Sequence, residues 1–77
     1  MMQRNKYESL QKALIEARQS KGLTQTEIAT HCGKPQSFVS KYESGERRLD
    51  VVEFLEVCQA LGIKPNSILN KIDTDNA

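Results

Sequence analysis

The 77-residue chain has no long apolar run: Ala13-Leu14-Ile15 is the longest. Spanning a bilayer takes ~20 mostly apolar residues, so no membrane helix is expected. Arg4 and Lys6 stand near the start, but no apolar stretch follows them. No secretory leader is expected, and the chain reads as cytoplasmic. Soft metal ligands are almost missing. Cys32, Cys58 and His31 are the only ones, and no Cys-x-x-Cys pair occurs. His31 and Cys32 are adjacent, so on a helix they point ~100° apart. Neither a metal, a disulfide nor a cofactor is expected. Catalytic machinery is missing as well. Ser9-Leu-Gln-Lys12 matches a Ser-x-x-Lys pattern, but it falls on an ordinary amphipathic helix with nothing to activate the serine, so no enzyme is expected.

Net charge is also nearly absent, at +1 from 11 basic and 10 acidic residues. This argues against a polybasic chain and against an acidic tail. The total hides an uneven distribution. Up to Arg48 there are nine basic and five acidic residues, a net +4; from Leu49 on there are two against five, a net −3. A basic first part is what a one-faced anionic partner requires. The length allows one compact domain, expected over residues 1–72. Such a domain buries only ~60% of the surface its unfolded chain exposes, so a partner subunit would add useful stability.

Five helices and no strand can be placed. Leu10, Ala13, Leu14 and Ala17 form the apolar stripe of a first helix over about 6–21, which Gly22 stops. Thr24 caps a second helix, with Glu27 three residues on to close a capping box and Leu23 and Ile28 to staple it. That helix ends at Cys32 before Gly33. A third runs from Pro35 or Gln36 to Ser44 and stops at Gly45. Asp50, with Glu53 at the third position, caps a fourth that ends at Leu61 before Gly62. A fifth covers about Pro65 to Lys71. The polar tail 73–77 is expected to be disordered.

The second and third helices are short, and only Gly33, Lys34 and Pro35 separate them. That is a helix-turn-helix spacing over residues 24–44. At 100° per residue from Ser37, Lys41 falls at ~40°, Ser44 at ~−20°, Ser40 at ~−60° and Gln36 at ~−100°. Phe38, Tyr42 and Val39 occupy the opposite side. The outer face carries amides, hydroxyls and a lysine, with no acid. It suits a DNA major groove, where Gln pairs with adenine and Lys reaches guanine. A plain solvated face would also be polar.

Residues Leu23–Gly33 (LTQTEIATHCG) and Gln36–Gly45 (QSFVSKYESG) resemble the phage-repressor/Cro type, or XRE, helix-turn-helix family. Gln25, Ala29, Gly33, Val39, Glu43 and Gly45 match at the right spacing, and the likeness extends over roughly Leu10 to Leu69. The resemblance implies an all-α, five-helix, lambda-repressor-like DNA-binding domain. It implies base reading by Gln36, Ser37 and Lys41, with Ser40 nearer the edge. Phosphate contacts would fall to Gln25, Thr24 and Lys34 and to the loop residues Arg47 and Arg48. Arg18 and Glu43 match a half-buried salt bridge of the family. Phe38 could touch a thymine methyl or join the core, and Tyr42 is expected in the core. One departure bears on the pose of Gln36: Lys34-Pro35 stands where the family often has a Ser or Thr cap.

The fourth helix carries a wide apolar arc of ~220°, centred near Val51, against the ~100° that faces one core. Either neighbouring segments cover the excess, or it is a dimer face made by Val52 and Leu55 with Ile63, Ile68 and Ile72. The resemblance also implies a homodimer, whose two recognition helices would meet a palindromic operator on double-stranded DNA. The expected function is a sequence-specific transcriptional regulator that either binds and blocks, as a repressor does, or recruits polymerase by touching it. The alternative is an antitoxin-like or adaptor module that grips a protein through its C-terminal helices.

Overall fold

Side-chain caps fix where three of the helices begin. The structure, a computed structural model, describes residues 5–74. Its elements are α1 (Lys6–Ser20), α2 (Gln25–Cys32), α3 (Gln36–Ser44), α4 (Val51–Leu61) and α5 (Pro65–Thr74). The expected capping box forms at Thr24, and the Asp50 cap forms one as well. Thr24 Oγ1 accepts from the Glu27 N–H at 3.0 Å, while Glu27 Oε1 accepts from the Thr24 N–H at 2.8 Å. Asp50 Oδ1 accepts from the Glu53 N–H at 2.8 Å, and Glu53 Oε1 accepts from the Asp50 N–H at 3.0 Å. Each box satisfies amides that a helix start leaves without intrahelical partners. Asn5 does the same for α1, accepting from the Glu8 N–H at 2.9 Å.

Every helix contributes to one core. Ala13 and Leu14 enter it from α1, Ile28 and Ala29 from α2, and Phe38, Val39 and Tyr42 from α3. Phe54, Val57, Cys58 and Leu61 come from α4, and Ile68 from α5. Burying each large apolar side chain contributes ~1.5–3 kcal/mol, which must offset the entropy of ordering the chain. Phe38 and Tyr42 meet edge to face with ring centroids 5.5 Å apart, which fixes the inner side of α3. Burial holds the Cys58 thiol protonated by pushing its pKa up to about 11, so it behaves as a small apolar side chain.

Two expectations change at the C-terminal end. Helix α5 continues through Asp73 and Thr74 instead of stopping at Lys71. Thr74 Oγ1 donates to the Asn70 carbonyl at 2.8 Å, and Lys6 Nζ donates to the Ile72 carbonyl at 3.4 Å. The last turn is thus tied to its own backbone and to α1. The rest of the expected tail lies outside the described residues. The α4 arc is also centred elsewhere. Its buried side is Phe54, Val57, Cys58 and Leu61, while Val51, Val52 and Leu55 point to solvent. No described helix is long and apolar enough to cross a membrane.

Candidate nucleic-acid interface

The α2–α3 corner is built around a small residue and a left-handed one. Ala29 is buried where the helices cross, and its carbonyl accepts from the Lys34 N–H at 2.9 Å. Gly33 turns the chain with φ +68°, a conformation that costs a side chain ~1–2 kcal/mol. Pro35 then opens α3 in extended geometry with no side-chain cap. Its fixed φ suits a helix start.

The pose of Gln36 is set by α2. Its Nε2 donates to Gln25 Oε1 at 2.6 Å. Gln25 Nε2 in turn donates to Glu43 Oε1 at 2.9 Å. Glu43 is only 7% exposed and is gripped by Arg18, whose Nε reaches Oε2 at 2.7 Å and whose Nη2 reaches Oε1 at 3.1 Å. Arg18 Nη1 also donates to the Leu23 carbonyl at 2.9 Å. These bonds run from α1 through α3 and α2 to the first residue of α3. The Glu43 hydrogen bond raises the Arg18 pKa above its already high ordinary value, so the guanidinium stays charged. A buried charge gripped this way avoids the penalty of an unpaired one. Gln36 keeps its Oε1 and one Nε2 proton for an outside partner.

Beyond Gln36, Ser37 and Lys41 are exposed on the same helix, and Ser40 is half-buried at its edge. Ser44 is exposed too, but its hydroxyl lies 3.1 Å from the Lys41 carbonyl and 3.2 Å from Glu46 Oε2. Phe38 belongs to the core. Thr24 and Lys34 are exposed beside the corner. Thr24 uses its hydroxyl oxygen for the α2 cap.

The loop after α3 has its own anchors. The Arg47 N–H donates to the Lys41 carbonyl at 3.2 Å. Its guanidinium pairs with Glu53 through Nη1–Oε1 at 2.9 Å and Nη2–Oε2 at 2.6 Å, and sits 5.0 Å from the Phe38 ring centroid. Lys34 Nζ lies 5.7 Å from the same ring. Arg48 lies over the Tyr7 ring, 3.8 Å from its centroid. The partners Glu53 and Tyr7 were missed in the sequence. Glu53 reads there only as a cap, and Tyr7 sits 41 positions from Arg48, with no local spacing to join them.

The fourth-helix candidates divide. Val52 is 65% exposed and Leu55 46%, and Val51 and Leu69 are exposed beyond the expected set. Ile68 is 1% exposed and packed into the core, so it is not a surface residue of this chain. Ile63 and Ile72 are half-buried against that core. They serve the monomer first.

A family model described as helix-turn-helix matches residues 14–68. The chain belongs to the XRE-type helix-turn-helix family. Its fold and family are those of DNA-binding regulators. The uncharacterized HTH-type transcriptional regulator y4dJ of Sinorhizobium fredii is 36% identical over 56 residues, covering 73% of each chain. Among solved structures, an XRE-family like protein from Pseudomonas syringae is 48% identical with a TM-score of 0.84, covering 88% of this chain and 83% of that one. The restriction-modification controller protein C.AhdI of Aeromonas hydrophila is 32% identical with a TM-score of 0.75, over 80% of this chain and 94% of its own. The α2–α3 pair lies inside the matched residues.

Proposed function

We propose that this XRE-type protein is a sequence-specific transcriptional regulator that binds a palindromic operator as a homodimer. The observation that carries the reading is the fixed amide of Gln36. One of its protons is spent on Gln25, and the remaining proton and oxygen form the pair of groups that adenine N7 and N6 would meet. Ser37 and Lys41 read neighbouring bases, with Ser40 at the edge of the contact. Thr24, Gln25 and Lys34 at the corner, and Arg47 and Arg48 in the loop, lie along phosphates. Arg47 keeps its Nε and one Nη2 proton for this purpose, since its other three donors are engaged by Glu53 and the Arg48 carbonyl.

The homodimer uses the exposed start of α4, with Val51, Val52 and Leu55. This segment directly follows the phosphate-facing loop, and a two-fold axis beside it would have to set the two recognition helices ~34 Å apart to match successive major grooves. A cytoplasmic setting fits this role. Selection from random duplex DNA tests the proposal. An enriched palindrome bound at two chains per duplex supports it. No enrichment overturns it, and a copurified protein that covers α4 and displaces the second copy would replace the homodimer.

A further inference from the structure

Arg47 and Arg48 are neighbours held by different chemistry. Arg47 is pinned by a carboxylate, which uses up hydrogen-bond donors. Arg48 is pinned by a ring, which uses none. Its guanidinium carbon lies 3.8 Å from the Tyr7 centroid, closer than either cation beside Phe38. Stacking engages the face of the guanidinium and leaves its edge free. Among the described residues, the Arg48 side chain makes no hydrogen bond. All five of its N–H donors are therefore available in the plane.

Tyr7 itself is 49% exposed, so burial does not account for it. It stands on the first turn of α1 and lines a slot with Leu10, Tyr42, Leu49 and the two loop arginines. One face of the ring meets Arg48. An unheld arginine on an exposed loop loses rotamer freedom when it takes a phosphate, and a side chain already parked loses less.

We propose that Tyr7 is a positioning residue for DNA binding: its ring holds Arg48 with the guanidinium edge turned to a backbone phosphate, extending the interface from α3 to the first turn of α1. This rests on the proposed placement of the loop along the DNA backbone. The chemistry is sequence-independent, so a labelled duplex of mixed sequence serves as the probe.

Binding is measured against salt for the full chain and for Tyr7→Ala, Tyr7→Phe, Arg48→Ala and the Tyr7→Ala/Arg48→Ala double variant. Tyr7→Ala should weaken binding by about two- to fivefold, the range of an exposed cation–π contact. Tyr7→Phe should bind as the parent does, because the ring remains. Arg48→Ala should lower the salt slope by ~1. In its background, Tyr7→Ala should have no further effect. Thermal unfolding checks that each variant is folded. The proposal is overturned if Tyr7→Ala binds as the parent, or weakens binding equally when Arg48 is absent. If the parent chain itself shows no salt-dependent binding, the placement of the loop fails along with it.

Discussion

At the scale of single residues, the corner and the loop divide the labour between α3 and its supports. Replacing Gln36 with Ala should relax preference at one base position, costing ~1–3 kcal/mol on the right sequence and little on the wrong one. Competition between duplexes that differ at single positions measures this. Glu43 acts differently, because it touches Arg18 and Gln25 and stays largely out of solvent. Glu43→Ala leaves those donors unpaired and should cost about 2 kcal/mol in urea unfolding. Glu53 links the loop to α4 and titrates accordingly. The Arg47 hydrogen bonds, and then the Asp50 N–H, lower its pKa from 4.5 to about 2. A lowered carboxylate pKa stabilises the fold above the unfolded value, so its contribution is complete above 4.5 and fades as the pH falls toward about 2. Glu53→Gln keeps the cap but removes the charge. Its urea midpoint should depend less on pH across that interval, and an unchanged slope would contradict the pairing.

At the scale of elements, starts and stops were legible because they depend on adjacent residues. Thr24 with Glu27, Asp50 with Glu53, and the glycines after α2, α3 and α4 all sit within one turn of the boundary they set. Gly45 also shows what a local reading leaves out. Its φ of +87° is legible as a helix stop, but a Cβ there would also come 3.0 Å from Gln11 Nε2 on α1. Gly45→Ala should therefore lose ~1–2 kcal/mol of stability by urea titration. The α4 arc is centred differently in the structure for a related reason. Periodicity finds apolar residues but not the neighbour that covers them, so Val51 was placed at the centre of a face that is buried around Val57 and Cys58. Ile68 was misplaced in the same way. Its apolarity fits an interface as well as a core, and only the packing of α5 on the other helices decides. The exposed start of α4 is then the place to test assembly. Val52→Glu with Leu55→Glu should leave the fold intact and shift sedimentation from dimer to monomer. Persistence of the dimer would move the interface elsewhere.

At the scale of the whole molecule, the near-zero charge is a sum of unlike parts. The +4 portion contains the helix-turn-helix and the two loop arginines, and the −3 portion contains most of α4 and α5. The exposed polar residues of α3, proposed here to read bases, are legible from one helical projection. The groups that hold them were legible only through family resemblance or not at all, since Arg18, Gln25, Glu43 and Gln36 come from three helices. The same division of charge predicts strong salt dependence, because phosphate contacts release counterions.

The central claim is that a fixed Gln36 reads a base in each half of a symmetric site. The most direct test is selection from random duplex DNA, run in parallel with the parent chain and with Gln36→Ala. The parent should yield a palindrome with half-sites about one helical turn apart. The variant should yield the same palindrome with preference lost at one position in each half. A consensus without two-fold symmetry, or one that Gln36→Ala leaves unchanged, would contradict the account.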